Sequence, residues 1–224
     1  MIDSNLKGCI RYITINRTAK ANAITNEMLD KLIEITGNSE KNKVLVISGA
    51  GKIFSAGADL DEVKKDGLAT SPKWEILSDT IHRLPYMTIA ALNGTVAGGA
   101  MGMVLACDIR ISVPEANFFY PVMKMGYLPQ PSDAIRLSKI CGSSKAKLML
   151  LAAEKINSKR AYDYGLVDEI VSEDNLYSRV DELCFSVSNS KNDQAKAVNQ
   201  RIPYLLFLSS TRSRQKFWWS FFYP

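Results

Sequence analysis

Apolar positions along the chain switch between two periods. Cys9 to Ile15 reads as a β-strand, after which Met28, Leu29, Leu32, Ile33 and Thr36 recur at helical spacing until Gly37 stops the helix. Val44 to Ser48 is a short β-branched run without alternation, the pattern of a strand buried on both faces. Trp74, Leu77, Ile81 and Leu84 mark one face of a helix that Pro85 ends, and Met87 to Leu92 reads as the next strand.

The intervening stretches are small and polar. Gly49 to Leu60 reads as a Gly- and Ala-rich loop, Asn93-Gly94 as a turn, and Gly98 to Ala106 as a helix of small residues against which neighbouring backbones can pack closely. Asp108 to Val113 predicts another strand, followed by Phe118-Phe119-Tyr120 and a Pro-rich loop, Leu128 to Pro131, that opens a helix at Ser132. Beyond it the pattern is mainly helical, over Ser143 to Ala153, Ser158 to Tyr164 and Asp174 to Ser188, with one short strand at Val167 to Val171. Repeated β and α units followed by helices predict an α/β fold, divided into a core over residues 1–170 and a helical C-terminal part over 171–224.

Composition narrows the class. A chain of 224 residues suits one large α/β domain, and 46% hydrophobic with 23% charged residues is the balance of a globular protein. The net charge of +5 comes from Lys and Arg scattered among acids, so no nucleic-acid footprint is expected, while a mildly basic surface suits an anionic, phosphate-bearing ligand. Cys9, Cys107, Cys141 and Cys184 lie far apart and predict free thiols. His82 is the one histidine, which excludes a multi-histidine metal site. The chain opens on no signal-peptide pattern and holds no run near the ~18 apolar residues that span a bilayer, so a cytoplasmic protein without membrane contact is expected.

The glycine segments fail two nucleotide-binding patterns. Gly51-Lys52 lacks the P-loop's first glycine, where Val46 stands, and its hydroxyl residue, where Ile53 stands; Gly94, Gly98, Gly99 and Gly102 do not give G-x-G-x-x-G. What remains is a pair of strand-to-loop junctions, Phe54-Ser55-Ala56-Gly57-Ala58-Asp59-Leu60 and Asn93-Gly94-Thr95-Val96-Ala97-Gly98-Gly99. Together with Asn16-Arg17 to Asn22-Ala23 and Cys107-Asp108, their order and spacing resemble the enoyl-CoA hydratase/isomerase, or crotonase, family over roughly residues 8 to 190.

The resemblance implies a crotonase-like spiral of ββα units with a helical C-terminal part that assembles trimers or pairs of trimers. It implies a coenzyme A thioester as substrate, with no covalently bound cofactor. The backbone N–H groups of Ala58 and Gly99 would then form an oxyanion hole around the thioester carbonyl, and Lys20, Ala21, Ala56 and Leu60 would hold the adenine and pantetheine of CoA. Asp59 would hold its loop rather than move protons. Tight turns without a ligand are the other reading of either segment taken alone.

The chain departs from the pattern where hydratases of the family place two glutamates, since Gly102 and Val122 stand at those positions. Neither can transfer a proton, and each well-placed acid or base contributes ~10²–10⁴-fold. Loss of CO₂ from an acyl-CoA carboxylate survives the change, because it makes the thioester enolate without a base. Tyr120, Tyr127 and Asp133 are candidate acids, against packing roles for the tyrosines and a helix-dipole role for Asp133. Asp61, Glu62 and Asp66 are expected on a flap over the acyl pocket. The end of the chain also departs from the family, with Arg212, Arg214 and Lys216 followed by Trp218, Trp219, Phe221, Phe222 and Tyr223. The readings left open are a CoA-thioester isomerase or decarboxylase, a silent acyl-CoA-binding or partner subunit, and a weak hydratase using Asp133 or a flap carboxylate.

Overall fold

The computed structural model describes residues 1–38 and 42–189. In chain order the elements are β1 (Ile2–Lys7), β2 (Ile10–Ile15), α1 (Asn26–Gly37), β3 (Val44–Gly49), β4 (Ile53–Ser55), α2 (Leu60–Asp66), α3 (Lys73–His82), β5 (Met87–Leu92), β6 (Thr95–Ala97) and α4 (Ala100–Ala106). They continue with β7 (Ile109–Ser112), β8 (Asn117–Phe119), α5 (Pro131–Cys141), α6 (Ser143–Leu150), β9 (Ile156–Asn157), α7 (Ser158–Asp163), β10 (Glu169–Ile170) and α8 (Leu176–Ser188).

Six strands form one sheet in the order β1-β2-β3-β5-β7-β10, parallel except for β1 against β2. Four short strands form a second sheet in the order β4-β6-β8-β9. The chain therefore repeats one unit three times: a strand of the first sheet, a strand of the second, then a helix. This is the expected crotonase-like spiral. Every residue of β3 is buried, which is why its sequence shows no alternation.

Passing from one sheet to the other demands glycine. A Cβ on Gly49 would fall 2.4 Å from the carbonyl oxygens of Ile53 and Phe54, and one on Gly94 would fall 2.0 Å from that of Lys52. Asn93 joins the two crossings, its side chain accepting from the Gly49 amide at 2.9 Å and donating to the Gly51 carbonyl at 2.7 Å. The turn at Asn93-Gly94 thus carries the chain from one sheet into the other.

Several local expectations change. Strand β4 lies inside the stretch read as a loop, and β6 and β8 were not resolved by pattern, because three residues are too few to display a period. The expected flap is the helix α2, whose N-terminus is closed by Asp59 Oδ1 accepting from the amides of Asp61 and Glu62 at 3.0 and 3.2 Å. Helix α4 begins at Ala100 rather than Gly98, which sits at φ +53 in the preceding turn. The strand expected over Val167 to Val171 is confined to β10. The four cysteines are free, with Cys107, Cys141 and Cys184 buried. Among the described residues no helix is long and apolar enough to cross a membrane. The basic and aromatic residues from Arg212 to Tyr223 lie outside the described residues.

Candidate active site

Strands β4 and β6 run parallel with Ile53 opposite Thr95 and Ser55 opposite Val96, so the chain leaves both at the same end. The two glycine junctions meet there through their main chains. A Cβ on Gly57, at φ +90, would fall 2.6 Å from the carbonyl oxygen of Ala97 and 3.4 Å from the Cα of Gly98. The amides on either side are committed: Gly57 donates to Ser55 Oγ, Asp59 to the Ile24 carbonyl and Gly98 to the Phe119 carbonyl. Among the described residues, the amides of Ala58 and Gly99 have no acceptor in the protein. Free donors beside a cavity are available to a ligand.

That cavity measures about 480 Å³, and both Ala58 and Gly99 line it. Its volume falls in the ~300–1,000 Å³ range of small-molecule sites. Trp74 forms part of the wall and packs so closely on Gly99 that a Cβ there would fall 3.1 Å from three indole atoms. The indole is fixed by its own N–H, which donates to the Leu68 carbonyl at 2.9 Å. The sequence points neither to Trp74's role nor to the Gly49 and Gly94 crossings; in it the tryptophan reads only as one more residue of a helix face.

Of the residues expected to hold CoA, Lys20, Ala56 and Leu60 line the cavity. Ala21 does not; it sits at φ 51 and its carbonyl accepts from the Ala56 amide at 3.0 Å, so it supports the wall from behind. Asn22 fastens the same loop, donating to the carbonyls of Ala50 and Ile53 and accepting from the Arg17 amide. Arg17 in turn pairs with Asp59 at 2.5 Å, and this contact holds the Asp59 carboxyl below the usual carboxylate range despite its burial. Asp59 is a loop-holding residue in this geometry.

Two other carboxylates of α2 meet a neighbouring helix and solvent. Glu62 accepts from the Asn26 amide at 2.7 Å and ties α2 to α1. Asp61 reaches the cavity rim with its side chain 82% exposed, 3.7 Å from Lys20 Nζ.

Val122 lines the cavity, half-buried, whereas Gly102 is buried in α4 and does not line it. Among the candidate acids, Tyr120 and Tyr127 line the cavity and Asp133 does not. The Tyr120 hydroxyl donates to Asp133 Oδ2 at 2.6 Å, and both residues are 1% exposed. Burial pushes the Asp133 carboxyl up to about 6 and the Tyr120 phenol well above its ordinary value. Asp133 does lie in the first turn of α5, but its carboxyl turns inward to Tyr120, so the helix-dipole reading accounts for its position in the helix and not for its side chain.

The chain is similar to known proteins in both sequence and fold. The model of the enoyl-CoA hydratase/isomerase family matches residues 5–205. The short-chain-enoyl-CoA hydratase of Clostridium acetobutylicum is 30% identical over 204 residues, covering 88% of this chain and 78% of that protein. The ethylmalonyl-CoA decarboxylase of Homo sapiens is 32% identical over 171 residues, covering 72% of this chain and 55% of that protein, so the chain spans little more than half its length. The crystal structure of an enoyl-CoA hydratase from Bacillus anthracis superposes with a TM-score of 0.85 at 24% identity, covering 92% of this chain and 83% of that one.

Proposed function

The chain belongs to the enoyl-CoA hydratase/isomerase family, and from that premise we propose that it binds an acyl-CoA thioester in the cavity and stabilises its enolate with the Ala58 and Gly99 amides. The carbonyl oxygen of the thioester would take the place of the acceptor that these two donors lack. Each such donor is worth ~2.7–4 kcal/mol where charge develops only in the transition state. Lys20, Ala56 and Leu60 would contact the CoA portion, with Ala21 acting through Ala56. On this reading residues 1–170 form the core that carries the site, and assembly is a trimer or a pair of trimers.

The reaction proposed is decarboxylation of a carboxyacyl-CoA. When CO₂ leaves, the electron pair of the broken C–C bond becomes the enolate, and no base takes part. One observation carries this choice: among the described residues, the carboxylates that line the cavity are Asp59, committed to Arg17 and to the start of α2, and Asp61, standing in solvent at the rim. Hydration and base-dependent isomerisation both require a base that takes a proton from water or from the acyl chain, whereas decarboxylation needs only a donor to the enolate. The same observation supports a second reading, a silent acyl-CoA-binding or partner subunit.

Incubation of the pure protein with methylmalonyl-CoA and, separately, crotonyl-CoA, followed by mass spectrometry, tests the proposal. Release of CO₂ with formation of propionyl-CoA is the expected result. Hydration of crotonyl-CoA at ordinary enzyme rates would overturn it, and tight binding without turnover of either thioester would favour the silent subunit.

A further inference from the structure

The space beside Gly102 is filled from another helix. A Cβ on Gly102 would fall 2.9 Å from Asp133 Oδ1 and 3.1 Å from Oδ2, so the carboxyl of α5 occupies the volume that a side chain on α4 would need. Oδ2 receives the Tyr120 hydroxyl, while Oδ1 is buried with no hydrogen-bond partner among the described residues. Such an atom calls for an explanation, since buried polar groups are ordinarily satisfied. Helix α5 is held firmly in this position. Arg136 donates to Ser132 Oγ at 2.7 Å, to Asp79 at 3.0 Å and to Ser78, and Ser132 donates to Glu75 at 2.9 Å.

Tyr120 is the link to the cavity, since of the two residues it is the one that lines the wall and its hydroxyl touches Asp133. We infer that Tyr120 is the proton donor to the acyl α carbon, and that Asp133, seated in the space Gly102 leaves, is the positioning residue that restores Tyr120's proton. The inference rests on the decarboxylase reading. As CO₂ departs, its electron pair passes into the thioester enolate; the α carbon then takes the proton of the Tyr120 hydroxyl. Protonated Asp133 returns a proton to the phenolate oxygen along their hydrogen bond, and water entering the emptied cavity restores the pair's proton through the Tyr120 hydroxyl. No oxidant or second substrate enters.

The groups acting on Asp133 are the Tyr120 hydroxyl, the Arg136 guanidinium and the Glu75 carboxylate. Arg136 and Tyr120 favour its ionised form, and burial and Glu75 favour the protonated form that the step requires.

Turnover of methylmalonyl-CoA in ²H₂O reads the delivery step. The protein is expected to place deuterium on a single face of the propionyl α carbon. Tyr120→Phe is expected to release CO₂ roughly a hundredfold more slowly and to scatter deuterium over both faces. Asp133→Asn, which keeps an acceptor for Tyr120 but has no carboxyl proton to hand on, is expected to turn over more slowly at every pH and to show no further fall in rate as pH rises through about 6. Single-face labelling by Tyr120→Phe, or an unchanged pH profile in Asp133→Asn, would overturn the assignment. Absence of CO₂ from the unsubstituted protein would remove the decarboxylase reading and the delivery step with it. The pair itself is read without turnover, by ¹³C NMR of the aspartate carboxyls: the Asp133 midpoint, identified by its loss in Asp133→Asn, should rise in Tyr120→Phe, and an unmoved midpoint would show the two groups uncoupled.

Discussion

Asp133 Oδ1 stands 2.9 Å from the point where a Cβ on Gly102 would be, so the two residues compete for one volume. A methyl group at position 102 therefore displaces a carboxyl that α5 has carried into the core, and removing that carboxyl gives the methyl group room. Gly102→Ala alone should destabilise, and so should Asp133→Gly alone through the cavity it leaves. The double variant should recover part of the loss, with a coupling of about 0.5–3 kcal/mol in a denaturant-unfolding cycle of the four proteins. Additive single effects would show that the residues do not share the space.

Asp133 also sets a pH dependence of stability. Its folded pKa of about 6 lies above the ordinary 3.8, so the folded state binds the extra proton. The stability this contributes is complete below about pH 4 and is lost as pH rises to about 6, a difference of roughly 3 kcal/mol. Asp133→Asn retains an acceptor for Tyr120 and cannot ionise. Relative to the parent it should therefore gain melting temperature above pH 6 and no longer lose it between pH 4 and pH 6, as thermal unfolding across that range would reveal.

Arg17 and Asp59 form a pair of the opposite sign. The Asp59 carboxyl is held low chiefly by the Arg17 hydrogen bond, so its contribution is present above the ordinary carboxylate range and fades as pH falls through the lowered value. Arg17→Met leaves a carboxylate with a side chain 6% exposed and no counter-ion. The expected cost is about 3 kcal/mol, the low end for a broken buried pair because Arg17 itself is 28% exposed. Acyl-CoA affinity should fall as well, since the same pair fixes the loop bearing Ala58. Calorimetry of unfolding and of ligand binding checks both.

Gly94→Ala places a methyl group 2.0 Å from the Lys52 carbonyl, and that contact is with backbone. Overpacking a core commonly costs about 1–3 kcal/mol, and here nothing flexible can give way, so the variant should accumulate poorly as soluble folded protein. Gly37→Ala, with none of the described residues within 4 Å of its Cβ, serves as the comparison and should express normally.

How much of this was legible depended on segment length and on distance in sequence. The longer strands and helices, from Val44 to Gly49 or Lys73 to His82, display enough residues for a period to appear, and the two glycine junctions carry a recognisable local composition. Strands of three residues, such as β4 and β6, show no period at all, and with them the second sheet stayed hidden. The sequence reads Gly102 as a missing acid and Asp133 as a candidate one, thirty-one positions apart. That one fills the space of the other is a property of how α4 packs on α5, which no local pattern encodes. Tyr120 and Asp133, weighed separately as acids, form a single hydrogen-bonded unit.

The contact of Gly57 with Ala97 and Gly98 fixes the relation between the two junctions through peptide units, not side chains. Alanine scanning is consequently blind to the groups proposed to hold the thioester: Ala58 is already alanine, and replacing Gly99 adds bulk against Trp74 without deleting its N–H. Semisynthesis that exchanges the amide at either position for an ester would delete one donor and leave every side chain in place.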